Sequence, residues 1–216
     1  MQAYDPVLVI GALLLLGLAP FVIMVATSYL KLVVVLSLVR NALGVQQVPP
    51  NMVLNGLAVI FSVFIMAPVA FQTQKLLPDD LFSRSSTPSE MFMILDNAKG
   101  PMQEFMTRHA HQGTVNFFLE TARRVWPEEK ASTLVPTNLI ILIPAFAVSE
   151  LTRAFEIGFL IYLPFVTIDI VVSNILLAMG MMMVSPMVIS LPFKLLLFVI
   201  LDGWGKLIQA LVSSYL

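Results

Sequence analysis

The sequence has no cysteine and few charged residues. Of its 216 residues only 12% are charged and 58% are hydrophobic, whereas soluble domains average about 25% charged residues. Without cysteine the chain can form no disulfide, no thiol nucleophile and no cysteine-ligated metal site. The formal charge of −1 shows no basic excess, so nothing suggests binding to nucleic acid. The composition predicts a membrane protein or a subunit of a membrane assembly.

Signatures of catalysis are also missing. The phosphate-binding pattern GxxxxGK[ST] does not occur, so the chain is not expected to hydrolyse nucleotide. The two histidines, His109 and His111, lie two residues apart on a predicted helix and should point to different faces, with no third ligand in view. We expect them to be a solvated pair. The sequence therefore predicts neither an enzyme nor a cofactor or metal site.

The apolar residues occur in long stretches. The N-terminal stretch has the apolar core of a signal peptide but lacks its positive start, because Asp5 is the only charged residue before Lys31. We therefore expect this segment to be retained. Since a spanning helix needs about 20 apolar residues, hydropathy predicts about four spans. The stretches cover residues 7–30, 51–71, 139–148 and 157–193.

A polar insert at 72–136 separates the first two apolar stretches from the last two. It holds seven basic and eight acidic residues out of the chain's 25 charged ones. Residues 77–89 are predicted to be a loop, and Pro127 should end the last helix of the insert. The sequence thus divides into 1–71, with a short turn at 40–50, then 72–136 and 137–216. Two amphipathic helices are predicted from apolar residues at intervals of three, four and seven, namely Phe92, Leu95, Met102, Phe105 and Met106, then Val115, Phe118, Leu119, Ala122 and Trp126.

Charged residues within the apolar stretches should be paired. An unpartnered charge at the bilayer centre costs roughly 2.5–3.5 kcal/mol, and Lys31 is one such residue. Glu150, Arg153 and Glu156 follow one another at intervals of three, which predicts an acid-base-acid ladder on one helical face. This ladder would be either a solvated face between two spans or a buried network between subunits.

Asp169 and Lys194 flank 24 uncharged residues. In one straight helix they would stand about 36 Å apart, whereas in a hairpin they would come level and could pair. We predict a helix over 157–178, a loop, and a second helix from about Leu191, with Gly180 in the reversal. A pair between subunits would satisfy the same argument.

Five of the chain's 13 methionines lie within residues 179–187. Methionine is unbranched and polarisable, so it can fill an irregular gap and refill it after displacement. Ordinary core packing is the alternative to a special role. Repeated around a ring of subunits, a methionine-lined loop would form a compliant apolar constriction that excludes water and ions. The residues are Met179, Met181, Met182, Met183 and Met187.

Several segments of the chain resemble the export-apparatus family of type III secretion, called SctR in injectisomes and FliP in flagella. Arg40-Asn41-Ala42 and Glu150-Leu151-Thr152-Arg153 look more like injectisome members, and Val184-Ser185-Pro186 departs from the double proline common in flagellar ones. The flagellar counterpart is the alternative. A small-molecule or proton transporter that titrates Glu150, Glu156 and Asp169 is a further alternative, although we find no two related halves. The segments are LSLVRNALGVQQVPPN (36–51), IMAP (65–68), SELTRAFEIGFLIYLPF (149–165), DIVVSNILLAMGMMMVSPM (169–187) and LPFKLLLFVILDGW (191–204).

The resemblance implies an all-α chain whose broken helical hairpins assemble into a helical oligomeric export gate, with the amphipathic-helix insert at its side. It implies a homopentamer joined to a small helical-hairpin subunit of the SctS/FliQ type and a larger subunit of the SctT/FliR type, with exported polypeptides passing through. It assigns the gasket to Met181, Met182 and Met183, to which we add Met179 and Met187. The expected location is the bacterial inner membrane, with the assembly partly raised into the periplasm. The charge of Arg40 favours the 40–50 turn in the cytoplasm and the insert outside.

Overall fold

A computed structural model of the chain describes residues 6–45, 47–77 and 98–216. Along these residues the chain forms nine helices and no strand, which confirms the prediction of an all-α protein. The helices are α1 (Pro6–Ala26), α2 (Tyr29–Leu43), α3 (Asn51–Leu76), α4 (Gly100–His109), α5 (Gln112–Val125), α6 (Glu128–Ala131), α7 (Leu139–Ala178), α8 (Pro186–Ile200) and α9 (Gly203–Ser213).

The first apolar stretch is divided into two helices. The prediction treated residues 7–30 as one span, but α1 ends at Ala26 and α2 begins at Tyr29. The hydroxyl of Thr27 accepts a hydrogen bond from the backbone N–H of Tyr29 at 3.4 Å. Such a local bond offers the backbone an alternative to the helical hydrogen-bond pattern. This explains why the helix is interrupted at Thr27 and Ser28.

The third apolar stretch and the first part of the fourth, up to Ala178, share one helix. We expected a helix to begin near Ile157, but α7 begins at Leu139 and has 40 residues, a length of about 60 Å. The charged segment 149–156 is therefore helical and lies inside α7, not between two spans. Its charges interrupt the hydropathy without interrupting the backbone hydrogen bonds, because most of them belong to good helix formers.

Two helices in the described part of the chain, α3 and α7, are long and apolar enough to cross a membrane. The number rises to four if each of two bent pairs counts as one span, Pro20–Ala26 with α2 and α8 with α9. Only 17% of the most apolar window of α3 and 11% of that of α7 is buried by the chain itself. These apolar faces require lipid or other protein around them.

The insert is helical where the structure describes it. The prediction for its second amphipathic helix is confirmed, because α5 ends at Val125, two residues before Pro127. Phe92 and Leu95 of the first predicted helix lie outside the described residues, as do residues 78–89 of the predicted loop. The buried face of α5 consists of Val115, Leu119 and Ala122.

The chain forms two compact units. The first contains Met1–Leu30 and Pro68–Ser149, and its described core joins α4 and α5 to the beginning of α7 around the buried Phe146. The boundaries predicted at 71 and 136 from composition stay a prediction.

The second unit contains Lys31–Ala67 and Glu150–Leu216. Helix α2 lies so close to α7 here that a Cβ atom on Gly158 would overlap the side chain of Leu38. A glycine at this position therefore permits the close approach of the two helices. This unit carries every residue of the predicted gasket and charge pairs. Its core includes Leu32, Val35, Leu36, Val39, Leu54, Ala154 and Leu211.

Candidate functional site

Helices α7 and α8 form a hairpin with residues 179–185 between them. The backbone N–H of Gly180 donates to the carbonyl of Leu177 at 3.0 Å, and that of Met181 donates to Leu176 at 2.9 Å. With the φ of Gly180 at +74°, these bonds form a Schellman motif, in which glycine adopts the left-handed conformation at little cost. The helix ends where the sequence predicted. Helix α8 begins at Pro186, before the predicted Leu191, because proline suits the first turn of a helix.

The methionine loop, defined as residues 179–187 and so including the first two residues of α8, exposes its thioether side chains. Met183 is 101% exposed and Met182 is 81% exposed, whereas Met106 in the first unit is only 1% exposed. These methionines are therefore not core-packing residues within the chain. The surface they create is apolar and flexible, as the thioether has no branched carbon and several rotatable bonds. The other exposed methionines of the loop are Met179, Met181 and Met187.

Asp169 and Lys194 form what we call the hairpin ion pair. Lys194 Nζ lies 2.6 Å from Asp169 Oδ2 and donates a second hydrogen bond to the carbonyl oxygen of Ala42 at 3.3 Å. The hydroxyl of Ser190 donates to Asp169 Oδ1 at 2.5 Å, and the carbonyl oxygen of Met187 lies 3.2 Å from the same hydroxyl oxygen. Lys194 is buried, but the Asp169 side chain is 35% exposed. The pair lies within one chain, where it joins α7 to α8 and both helices to the end of α2.

Lys31 and Glu150 form a second pair, which we call the buried ion pair. Lys31 Nζ lies 3.4 Å from Glu150 Oε2, and the two side chains are 1% and 0% exposed. The Tyr215 hydroxyl donates to the same carboxylate oxygen. Lys31 Nζ also lies 3.5 Å from the centroid of the Tyr215 ring, within the range of a cation–π interaction. A buried charge pair is tolerated only when further bonds satisfy its atoms, and Tyr215 supplies them.

Burial, and after it the charge of Glu150, disfavour the ionised form of Tyr215. Desolvation by burial, and then the negative charge of Glu150, raise the pKa of the Tyr215 phenol well above its ordinary value. Both effects disfavour the phenolate. The hydroxyl therefore remains a hydrogen-bond donor to Glu150 throughout the physiological pH range.

The predicted acid-base-acid ladder is formed only in part. Arg153 Nη1 lies 3.5 Å from Glu150 Oε1, but among the described residues no ion pair joins Arg153 to Glu156, which is exposed. Positions six residues apart in an α-helix differ by roughly 120° around the helix axis, so Glu150 and Glu156 face different directions. Glu150 is buried inside the chain. It therefore belongs neither to a solvated face nor to a network formed only between subunits, the two alternatives that we predicted.

The sequence did not reveal three members of these two sites, namely Tyr215, Ser190 and the carbonyl of Ala42. The charge of Lys31 within an apolar stretch signalled that it needed a partner, but nothing in the sequence identified Glu150 as that partner. Tyr215 and Ser190 are hydroxyl residues in ordinary surroundings, and they carried no signal. The carbonyl of Ala42 could not be found from side-chain patterns at all.

The histidine prediction is half wrong. His111 is exposed, and its Nδ1 accepts a hydrogen bond from the backbone N–H of Gly113 at 3.2 Å, which caps α5. His109 is not solvated, because it is buried with its ring centroid 4.7 Å from that of Phe105. An amphipathic helix that packs on a core can bury a histidine on its apolar face. In the described ranges no group of three or more His, Cys, Asp or Glu side chains could hold a metal ion.

Comparison with known proteins gives consistent matches. The model of the FliP family matches residues 12–211. The "Yop proteins translocation protein R" of Yersinia pestis is 54% identical over 214 residues, covering 99% of this chain and 98% of that protein. The "Hypersensitivity response secretion protein HrcR" of Ralstonia nicotianae is 49% identical over 201 residues, 93% of each chain. The "Virulence protein YscR" of Salmonella typhimurium is 48% identical over 212 residues, 98% of this chain and 97% of that protein.

Proposed function

Because this chain belongs to the FliP family, in its injectisome branch, we propose that it is a core subunit of a type III protein secretion export gate. Several copies surround a channel that unfolded polypeptides cross, and the methionine loop closes that channel when no polypeptide is present. The names of the relatives, which refer to translocation in Yersinia and to secretion in Ralstonia, support this role. The chain carries out no catalytic reaction in this proposal.

The observation that carries the proposal is the exposure of the methionine loop at the end of a braced hairpin. Met182 and Met183 point away from the chain's own core, while the hairpin ion pair fixes the two helices that carry them. A ring of such loops would narrow the channel to an apolar constriction that does not hold water, which blocks ions. Pliable thioethers would still move aside for a polypeptide and close again after it.

Family membership supports a proposal for the subunit composition. We infer a homopentamer that binds copies of a small helical-hairpin subunit and one larger subunit. The apolar windows of α3 and α7, which the chain itself leaves almost uncovered, support neighbours of this kind. We place the assembly in the bacterial inner membrane and partly in the periplasm, with the turn at 40–50 on the cytoplasmic side and the insert at 72–136 outside.

The two ion pairs hold the chain in its gate conformation. The hairpin ion pair ties Lys194 to Asp169 and to the end of α2, so it fixes the height of the methionine loop. The buried ion pair fixes the start of α2 to α7 through Lys31 and Glu150. We infer that these pairs brace the single subunit, and that Arg153 and Glu156, which are accessible on α7, are available for contacts with other subunits.

Replacement of Met181, Met182 and Met183 together by alanine tests the seal. The variant should assemble normally, because these side chains are exposed, but the assembled complex in liposomes should conduct small ions. Replacement of the same residues by leucine keeps an apolar surface of similar volume and should leave the complex far less conductive than the alanine variant. The measurement is ion conductance of the complex, with its oligomeric size checked beside it.

Met52 provides a matched control for this experiment. It is 84% exposed but lies at the beginning of α3, outside the loop, so Met52→Ala should remain as tight to ions as the parent. An alanine triple variant that assembles and stays ion-tight would show that the loop is not a seal. Ion flux that disappears on Asp169→Asn while protein export continues would instead favour the transporter alternative.

A further inference from the structure

The methionine loop carries a chemistry that an apolar seal does not need. Leucine would exclude water as well as methionine does, but it has no sulfur. In the single chain, Met182 and Met183 place two thioethers at 81% and 101% exposure, so no other part of the chain shields their sulfur from small reagents. The exposed sulfur atoms are therefore open to reaction as well as to contact.

We propose that Met182 and Met183 are a site of reversible oxidation by peroxides, and that conversion of their thioethers to sulfoxides opens the seal. The inference rests on the proposed function, since a change of the loop opens a channel only if the loop closes one. The site is a modification site for a two-electron oxidant that transfers one oxygen atom.

The reaction balances without any further reagent. A lone pair of the methionine sulfur attacks one oxygen of hydrogen peroxide, the O–O bond breaks, and an S–O bond forms. Sulfur loses two electrons, and the second peroxide oxygen takes up the protons and leaves as water. In the reverse direction two thiols supply two electrons, become a disulfide, and release the sulfoxide oxygen as water, which is the chemistry of methionine sulfoxide reductases.

Access to the sulfur decides which methionines react. Oxidation of a thioether needs no prior deprotonation, so susceptibility follows exposure. Met106, at 1% exposure, is enclosed by the core of the first unit and should be protected. In the loop, the space beside Gly180 is open, because a Cβ atom built there would meet nothing within 4 Å. The chain thus contains reactive and protected methionines that can be compared in one experiment.

Oxidation changes the property on which an apolar seal depends. A sulfoxide is polar and chiral and accepts hydrogen bonds, whereas the thioether is apolar. A constriction that blocks ions because water does not enter it becomes wettable when its lining becomes polar. Each subunit around the channel would contribute two such groups, so partial oxidation of each copy is enough to alter the ring.

The experiment exposes the assembled complex in liposomes to hydrogen peroxide and measures ion conductance and the mass of the methionine peptides. We expect Met182 and Met183 each to gain one oxygen while Met106 stays unmodified. Conductance should rise roughly tenfold, which corresponds to a barrier lowered by about 1.4 kcal/mol. Methionine sulfoxide reductase with a thiol should restore the original conductance.

The double variant Met182→Leu with Met183→Leu is the matched control. It retains an apolar loop and removes the sulfur atoms of the two most exposed methionines of that loop, so its conductance should rise far less with peroxide than that of the parent. If this variant fails to assemble, the single variant Met183→Leu, which changes a fully exposed side chain, should show a reduced rise.

Four outcomes would overturn the inference. The first is protection of Met182 and Met183 from peroxide in the assembled complex. The second is their oxidation without a change in conductance while the triple alanine variant conducts ions, which would leave the seal intact as a function and reject only its redox sensitivity. The third is an equal rise in the leucine variants. The fourth is a triple alanine variant that assembles and conducts no ions, which would overturn the proposed function together with the inference.

Discussion

The buried ion pair and the hairpin ion pair use the same kinds of groups in different surroundings. Each joins a lysine to a carboxylate on α7 and adds one hydroxyl donor to that carboxylate. Both lysines are buried, but Glu150 is 0% exposed and Asp169 is 35% exposed. The pairs therefore differ chiefly in whether water can reach the acid.

This difference determines how freely each pair can exchange partners. A carboxylate without contact to water cannot leave its lysine except at the cost of an unpaired buried charge. A partly exposed carboxylate can replace a protein partner by water at low cost. Loss of the acid is therefore costlier at the buried ion pair than at the hairpin ion pair, whose acid water can reach.

The positions of the two pairs support the same comparison. Glu150 and Asp169 are separated along α7 by about 28 Å, at 1.5 Å per residue. Helix α2 is attached at both of its ends, through the Lys31 side chain near its beginning and through the Ala42 carbonyl near its end. Both connections are buried, but the acid that pairs with Lys194 is partly exposed whereas Glu150 is not, so perturbation should affect the two pairs unequally.

Removal of the acidic charge should give the largest difference in the free energy of unfolding between the two ion pairs. Glu150→Gln leaves the Lys31 ammonium buried without its counter-charge, and we expect the free energy of unfolding in mild detergent to fall by about 3–5 kcal/mol. Asp169→Asn also leaves a buried lysine, but Lys194 keeps its bond to the Ala42 carbonyl and the acid that is replaced is partly exposed, so the cost should be about 1–3 kcal/mol.

The double variant Lys31→Met with Glu150→Gln is the control for this comparison. It removes both charges and should recover most of the stability lost by Glu150→Gln, because no unpaired charge remains. Equal losses for Glu150→Gln and Asp169→Asn would contradict the view that burial of the acid separates the two sites.

Removal of the hydroxyl donors should give a smaller difference in the same direction. Tyr215→Phe keeps the ring over Lys31 and so preserves the cation–π contact, but it deletes a bond to a buried carboxylate and should lower the free energy of unfolding by about 1.5–3 kcal/mol. Ser190→Ala deletes a bond to the partly exposed Asp169 and should cost about 0.5–1.5 kcal/mol. Thermal or chemical unfolding in detergent would measure both.

Tyr162→Phe is a control that removes a tyrosine hydroxyl without removing the hydrogen bond from Tyr215 to Glu150. Its side chain is exposed on α7, and Tyr162→Phe should change the free energy of unfolding by no more than about 0.5 kcal/mol. A cost for Tyr215→Phe no greater than that for Tyr162→Phe would mean that the bond to Glu150 contributes nothing.

Much of the fold was predictable because local rules and tertiary structure agree. The apolar composition predicted membrane spans, the helical intervals predicted two amphipathic helices, and the family resemblance implied an all-α chain. Gly180 marked the reversal of the hairpin because a left-handed position favours glycine. The break between α8 and α9 was missed, although Asp202-Gly203 is a turn signal and Asp202 adopts a φ of +51°. Because apolar residues lie on both sides of this dipeptide, the break between the two helices was not recognised.

The sites were less predictable because pairing depends on tertiary position. The charges of Lys31 and Glu150 in apolar stretches indicated that both residues needed partners. Local sequence patterns do not identify which acid meets which base. Asp169 and Lys194 were easier, since the short hairpin between them limits where each can go. Tyr215 required knowledge of where α9 ends relative to α7, and no local pattern supplies that.

The smallest effect should come from reversal of the hairpin ion pair. Asp169→Lys and Lys194→Asp each place like charges together and should destabilise the chain, while the two substitutions combined restore opposite charges. We expect a coupling free energy of about 1 kcal/mol between the positions in a double-mutant cycle. Recovery should be incomplete, because a carboxylate at position 194 would face the Ala42 carbonyl oxygen that Lys194 now binds.

The same cycle separates a brace within the subunit from a contact between subunits. Measured on the single chain in detergent, the coupling should already be present, since both residues belong to one hairpin. If it were present only in the assembled oligomer, the pair would act between subunits, and the hairpin ion pair would have to be described as an interface. If the two substitutions were simply additive in both preparations, the 2.6 Å contact would contribute no net stability, and the contrast between the two pairs would rest on the buried one alone.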